Sequence, residues 1–250
     1  MCGVAGYLNF DKSQASEVIL EEMCKSLVHR GPDNYGIFQD KGIGLSHTRL
    51  SIIDLSSAGN QPMHTQDDRY VISYNGEVFN FKEIKEELNL LGWRFKSESD
   101  CEVVLNALAQ WGPNAIKKFN GQFAFAFWDK KEKTLILSRD RYGIKPLYFY
   151  KNNKVLVFGS EIKAILAHPE VKLEINKEGL LEYLTFQNFL SEQTLFKNIH
   201  TLATGSFYIF NLDNNCKKVK YWDFNFEEPL SYSRSLDDYR EECHYLLKQA

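Results

Sequence analysis

Met1-Cys2-Gly3-Val4-Ala5-Gly6-Tyr7-Leu8 opens the chain. Small and apolar residues alternate there, as in a short strand with one face against a core, and Gly3 and Gly6 let other backbone or a ligand come close. Cys2 heads the strand. With so small a side chain in second position, removal of the initiator methionine would leave Cys2 with a free α-amine beside its own thiol. An α-amine ordinarily titrates at about 7.7–8.0 and a thiol at about 8.5, so the amine can take the thiol proton near neutral pH. One residue would then hold nucleophile and base together. The alternative is a cysteine that acts as a small buried hydrophobe, the commonest fate of a free thiol.

Around this stretch, 250 residues at 44% hydrophobic and 25% charged are enough for one large domain or two small ones with a full core. A net charge of −3, without a block of like charges, points away from nucleic acid or a membrane surface as the main partner. The five cysteines (Cys2, Cys24, Cys101, Cys216 and Cys243) are odd in number and contain no C-x-x-C pair. That argues against a disulfide framework or structural zinc and for a reducing compartment. The six histidines have no H-x-x-x-H spacing, so no metal site is expected. The start lacks the basic region and long apolar run of a signal peptide, and no window approaches the ~20 apolar residues of a membrane span. The expected location is cytoplasmic.

Downstream, strands and helices alternate. Residues 17–29 carry Leu20, Met23, Cys24, Leu27 and Val28 on one helical stripe, which stops at Arg30-Gly31-Pro32-Asp33, a turn between helix and strand. Residues 44–53 read as extended, with His47 and Arg49 among apolar neighbours on one side. An arginine in a strand fit for burial needs a carboxylate, either an internal Asp or Glu or one belonging to a ligand. Residues 70–74 form another strand before Asn75-Gly76-Glu77. Asn-Gly between apolar runs is a hairpin signal, and it is also a compact pair of donors able to hold the oxygen of a tetrahedral intermediate.

Residues 80–91 read as a helix ending at Gly92, and Ser99-Asp100-Cys101-Glu102 fits a capping box for a helix reaching Trp111, with Asp100 in its first turn. Strands are expected at 123–128, 134–139, 147–150 and 155–158, short helices at 161–166 and 177–185, and a closing hairpin from 206–210 and 219–222. The order fits a layered α+β domain with helices covering sheet faces.

Six separated segments carry a resemblance: Cys2-Gly3-Val4-Ala5-Gly6, His29-Arg30-Gly31-Pro32-Asp33, the run from His47 to Leu55, Tyr74-Asn75-Gly76-Glu77, Ser99-Asp100-Cys101-Glu102 and the run from Arg139 to Tyr148. In that order the chain resembles, over about residues 2–222, the glutaminase domain of glutamine-hydrolysing asparagine synthetase, a class II glutamine amidotransferase. The resemblance implies the Ntn-hydrolase fold, a four-layer αββα sandwich of two antiparallel sheets. It also implies that Cys2, freed of Met1, attacks the side-chain amide of glutamine and forms a γ-glutamyl thioester. Asn75 and Gly76 would hold the oxyanion, Arg49 the α-carboxylate, and Glu77 and Asp100 the α-ammonium, with the backbone of Leu50, Ser51, Ile52 and Ile53 lining the pocket. One methylene of misfit, worth ~1–3 kcal/mol, would favour glutamine over asparagine.

Two departures matter. Ala203-Thr204-Gly205 stands where the family often has Pro-Pro-Gly, and no Ser-Gly-Gly-x-Asp-Ser pyrophosphate loop occurs. The glutaminase step would need no cofactor or metal, whereas ATP and Mg would belong to a C-terminal synthetase domain or subunit. Residues 223–235 read as a polar linker and 236–250 as a truncated helix, with Leu236, Tyr239, Cys243, Leu246 and Leu247 on one stripe. The chain is thus expected to be a piece of a longer protein, with glutamine and the synthetase domain as partners and a homodimer compatible with it. Two other readings stay open. One is the same glutaminase serving another acceptor, such as a sugar. The other is a catalytically silent regulatory or structural domain.

Overall fold

The computed structural model describes residues 1–226 and 234–249. Its first strand is more deeply set than one buried face would require, because Val4, Ala5, Tyr7 and Leu8 are all buried. Val4 and Leu8 point into a core between two sheets, and Ala5 and Tyr7 point the other way, under helices. Alternation in this strand therefore sorts side chains between two apolar layers.

The described residues contain β1 (Gly3–Asn9), β2 (Asn34–Asp40), β3 (Ile43–Arg49), β4 (Met63–His64), β5 (Tyr70–Val78), β6 (Gly121–Asp129), β7 (Thr134–Arg139), β8 (Tyr148–Lys151), β9 (Val155–Gly159), β10 (Ile199–Thr201), β11 (Ser206–Asn211) and β12 (Cys216–Lys220). They make two six-stranded sheets, ordered β10-β8-β9-β1-β3-β2 and β12-β11-β7-β6-β5-β4. Every strand pairing is antiparallel. Helices α1 (Glu17–Leu27) and α4 (Ile162–Leu166) cover the first sheet through Leu20, Met23, Leu27, Ala164 and Ile165. Helices α2 (Phe81–Leu90) and α3 (Asp100–Trp111) cover the second through Ile84, Leu88, Val104, Leu105 and Leu108. Between the sheets lie Leu45, Val71, Trp128, Leu137, Phe158 and Phe210. This is the expected four-layer αββα sandwich, an α+β architecture in which each sheet buries one face on a helix layer and the other on its partner.

Three local expectations are corrected. The Asn75-Gly76 pair does not turn a hairpin. β5 runs straight through it, with Asn75 opposite Ala124 and Gly76 opposite Phe123. Glycine is needed there because a Cβ would come within 2.5 Å of the Gln122 carbonyl oxygen. The extended segment foreseen over 44–53 ends as a strand at Arg49, and Leu50 leaves the sheet. At Ser99 the capping box is only half made. The Ser99 hydroxyl accepts from the Cys101 amide at 3.2 Å, but Glu102 accepts from the amides of Lys96 and Ser97 and the Ser97 hydroxyl.

A full reciprocal box appears instead before α6 (Leu236–Gln249), where Ser235 accepts from the Asp238 amide at 3.2 Å and Asp238 from the Ser235 amide at 2.7 Å. Leu236, Tyr239, Leu246 and Leu247 of α6 are exposed. Residues 227–233 of the expected linker, and residue 250, lie outside the described residues. Helix α5 (Lys177–Phe186) ends at Gln187 in the left-handed region, φ 54°. The edge strands β2, β4 and β10 had no counterpart in the sequence reading, and β12 lies over 216–220 rather than 219–222.

Candidate active site

Cys2 is fixed by its backbone before its side chain is considered. Two residues on, Val4 donates to the Ser160 hydroxyl at 3.0 Å and its carbonyl accepts from the Ser160 amide at 2.8 Å. The Cys2 carbonyl accepts from Arg30 Nε at 2.9 Å, and Arg30 in turn is ion-paired to Glu161 at 2.9 Å. The thiol meets the backbone where β3 ends, its Sγ 3.4 Å from the Leu50 amide and 3.7 Å from the Leu50 carbonyl. Burial pushes this thiol above its ordinary range. The Leu50 amide, the positive chain terminus and Arg49 pull the other way, and Asp100 adds to the rise. A thiol in that state needs a base to attack anything.

The Cys2 side chain opens on a cleft of about 100 Å³. Each residue singled out from the sequence lines it: Cys2, Arg49, Leu50, Ser51, Ile52, Ile53, Asn75, Gly76, Glu77 and Asp100. They arrive from β1, the end of β3 and its following loop, β5 and the first turn of α3. Further lining residues, to which the sequence assigns no role, include Gln61, Tyr74, Cys101 and Lys145. Gln61 holds the Tyr74 amide at 2.7 Å, and nothing in its local pattern distinguishes it from a loop glutamine.

Arg49, 6% exposed, has none of the internal carboxylates the sequence reading allowed for, since no ion pair to it occurs among the described residues. Nη1 donates to the Ser56 carbonyl and to Asn60 Oδ1, both at 2.7 Å, and Nη2 donates to the Asp54 carbonyl. Gly59 lies against the guanidinium, where a Cβ would stand 2.4 Å from Nη2. Neutral oxygens thus orient the fork, and although the Asp54 carboxylate feels its charge, no carboxylate lies within ion-pair distance of it among the described residues.

Opposite in sign is Asp100, 4% exposed. Rather than complementing the dipole at an exposed helix start, it turns inward. Oδ2 accepts from the Tyr74 hydroxyl at 2.6 Å and the Val78 amide at 3.0 Å. Burial raises its pKa and the Glu77 carboxylate adds to that, while the two hydrogen bonds counter it. No cation pairs with it among the described residues. Glu77 itself is exposed at the rim.

Asn75, 2% exposed, completes the set, because its Nδ2 is buried with no hydrogen-bond partner. Behind it, His47 Nε2 lies 3.0 Å from the Tyr74 carbonyl, and burial holds this imidazole down to about 4, so Nε2 carries the proton and donates. His47 therefore fixes the peptide that leads into Asn75. A buried unpaired donor costs ~1–3 kcal/mol, and its persistence in a cleft beside a thiol marks a place for an acceptor. Taken together, the cleft offers a cation for a carboxylate, an anion for an ammonium and an N–H for a developing oxyanion. No group of three or more His, Cys, Asp or Glu residues among the described residues is placed to hold a metal ion.

A glutamine amidotransferase domain model matches residues 1–222. The putative glutamine-hydrolysing asparagine synthetase 2 of Methanocaldococcus jannaschii is 36% identical over 94% of this chain and 49% of its own length. The glutamine-hydrolysing asparagine synthetase 3 of Bacillus subtilis is 35% identical over 95% of this chain and 39% of its own. This chain therefore spans half or less of the curated relatives it matches. Among solved structures, the glutamine phosphoribosylpyrophosphate amidotransferase of B. subtilis, complexed with ADP and GMP, superposes with a TM-score of 0.63 at 19% identity, covering 88% of this chain and 49% of that one. That likeness carries the fold, the Ntn-hydrolase sandwich.

Proposed function

The chain belongs to the glutamine amidotransferase domain family, and from that premise we propose that Cys2, freed of Met1, hydrolyses glutamine to glutamate and ammonia. Arg49 would take the α-carboxylate through its rigid fork, and Asp100, with Glu77 at the rim, the α-ammonium. The backbone from Leu50 to Ile53 would line the side chain. The Cys2 sulfur adds to the amide carbon as its proton passes to the Cys2 amine, and the oxygen takes up charge against Asn75 Nδ2 and the Gly76 N–H. The amine returns the proton to the departing nitrogen, which leaves as ammonia, and a γ-glutamyl thioester remains. Water then adds to the thioester carbon and gives its proton to the amine. Collapse of that intermediate releases glutamate, and the sulfur recovers its proton from the amine.

One observation supports this reading most. A guanidinium and a carboxylate, each without an ion-pair partner among the described residues, and an unpartnered amide N–H converge on the cleft that Cys2 opens. Glutamine carries the complement of each, so the ligand would remove the costs that the free site sustains.

We further propose that residues 2–222 are the ammonia-supplying half of a larger enzyme, with 223–235 as connector and 236–250 as the start of the next domain. The relatives named as asparagine synthetases suggest aspartate as acceptor, activated by ATP and Mg in that other domain. A cytoplasmic setting suits such a reaction, and no helix among the described residues is long and apolar enough to cross a membrane. Glutamate release from glutamine by protein whose N-terminus is verified as Cys2 is the test. Hydrolysis that disappears in Cys2→Ala supports the reading, and a processed, folded protein that yields no glutamate overturns it.

A further inference from the structure

The loop after β7 is held more firmly than a connection requires. Asp140 is fully buried, and its carboxylate accepts from the amides of Phe123 (3.2 Å), Tyr142 (3.1 Å), Ile144 (3.0 Å) and Lys145 (2.9 Å). From the other side, Arg139 donates to the carbonyls of Gly143 (2.7 Å) and Lys145 (2.9 Å). Gly143 has φ 67°, and a Cβ there would strike Arg139 and Thr204. These contacts fix the backbone of Lys145 at the mouth of the cleft.

The ammonium at its tip has no carboxylate within ion-pair distance among the described residues. It meets the sulfur of Met1, which lies 3.5 Å from Lys145 Nζ and 3.9 Å from Arg30 Nη2. The two cations differ in one respect. Arg30 has an ion-pair partner in Glu161, shared with His29 and Lys163, whereas Lys145 has none among the described residues.

We propose that in the processed chain Lys145 acts through the Cys2 α-amine, its fixed positive charge disfavouring protonation of that amine so that it serves as base at neutral pH. This rests on the Cys2 reading above. Once Met1 is gone, the amine belongs to Cys2, the residue next to the methionine whose sulfur meets both cations, in the cleft that Lys145 also lines. A free α-amine in water, with a pKa of about 7.7–8.0, is mostly protonated at pH 7 and cannot then accept the thiol proton. A like charge several ångströms away, screened as strongly as in water, shifts such an equilibrium by roughly half a unit.

The other charged groups around the amine do not supply this effect. Arg30 is paired. Arg49 and Asp100, across the cleft, oppose each other in sign. Glu77 is exposed at the rim, and the thiol is neutral at rest. Lys145 is thus a positioning residue in the electrostatic sense, and it does not touch the reacting amide.

The test is the pH dependence of kcat/KM for glutamine hydrolysis by protein whose N-terminus is verified as Cys2. In Lys145→Met the acid limb is expected to move up by roughly half a unit, about a threefold loss near pH 6 that shrinks as pH rises. Lys145→Arg, which keeps the charge, should keep the wild-type acid limb. Lys145→Gln provides a second neutral variant if the methionine variant misfolds. Pulse acetylation at graded pH, read on the N-terminal peptide by mass spectrometry, should report the same displacement for the amine itself. An active wild type whose acid limb is unmoved in both neutral variants overturns the proposal. A wild type that releases no glutamate defeats the Cys2 reading instead, so the two failures are distinguishable.

Discussion

Replacing Asn75 with alanine should separate activity from stability. Its Nδ2 is buried without a partner in the free protein, a condition that costs ~1–3 kcal/mol, so deleting the amide removes a penalty as well as some packing. The net change in stability is expected to lie within about 1 kcal/mol of zero, or to be favourable. For a chain of this size that is a Tm shift of no more than about 4 °C downward. Catalysis should respond in the opposite sense. Loss of one preorganised oxyanion donor lowers kcat by roughly 10²–10³-fold, or ~2.7–4 kcal/mol of transition-state stabilisation, with KM little changed because the donor acts on charge that develops after binding. Asn75→Asp keeps the shape but places an acceptor against the oxyanion, and should be at least as inactive. The assay is initial-rate glutamate release on Cys2-verified protein, paired with calorimetric melting. A kcat within threefold of wild type, or a melt lowered by more than about 6 °C, would show that Asn75 is a structural amide and would refute the oxyanion argument.

Cys2→Ala should abolish glutamate release while retaining a cooperative melt; residual turnover at the wild-type rate would remove the sulfur from the reaction. Arg49→Lys should raise KM at least tenfold, because a lysine cannot serve the Ser56, Asn60 and Asp54 oxygens and a ligand carboxylate together, and an unchanged KM would count against that pairing. Burial raises the Asp100 pKa, so the folded state holds that proton more tightly than the unfolded chain. The cost of ionising it is absent below the usual carboxylate range and complete above the raised value. Asp100→Asn should therefore raise Tm at pH 7 but not near pH 3, while weakening glutamine binding. An equal effect on Tm at both pH values would contradict the sign.

Much of the fold was legible because its helices and central strands carry strong periodicity. Leu20, Met23, Cys24 and Leu27 mark α1, and the apolar run from Phe123 to Trp128 marks β6. The edge strands were harder to see. β2 is Asn-Tyr-Gly-Ile-Phe-Gln-Asp, without clean alternation, and β4 has only two residues, so pairing with β3 and β5 rather than intrinsic pattern makes them strands. Asn75-Gly76 illustrates the opposite failure. Its strong local turn signal loses to nine consecutive pairings with β6, and the glycine turns out to serve close approach to Gln122. In the site, residue types announced the chemistry of Cys2 and Arg49, whereas a role for Asp100 came only with the resemblance. The contribution of Lys145 could not be read, because it depends on a loop wrapped around Asp140 and on a methionine 144 positions away in the chain.

The places where local rules are broken are also the places where the cleft has something to offer a ligand. At several other buried sites the chain satisfies its polar groups closely, although His47 Nδ1, Trp128 Nε1 and Asn214 Oδ1 are also buried without a partner. Asp140 takes four backbone amides, Glu102 three donors on two residues, and Ser160 both polar groups of Val4. Around Cys2 the same chain leaves a guanidinium and a carboxylate each without an ion-pair partner among the described residues, and an amide without an acceptor. Their concentration in a cleft of about 100 Å³ that holds a thiol means that the free protein carries, as reduced stability, part of the interaction energy the bound state would recover. Because the three unmet groups differ in charge and direction, a ligand must bring a carboxylate, an ammonium and a carbonyl oxygen in fixed relation to satisfy them together. An α-amino acid with a side-chain carboxamide has that combination, and a sugar or a simple amide lacks at least one of its parts.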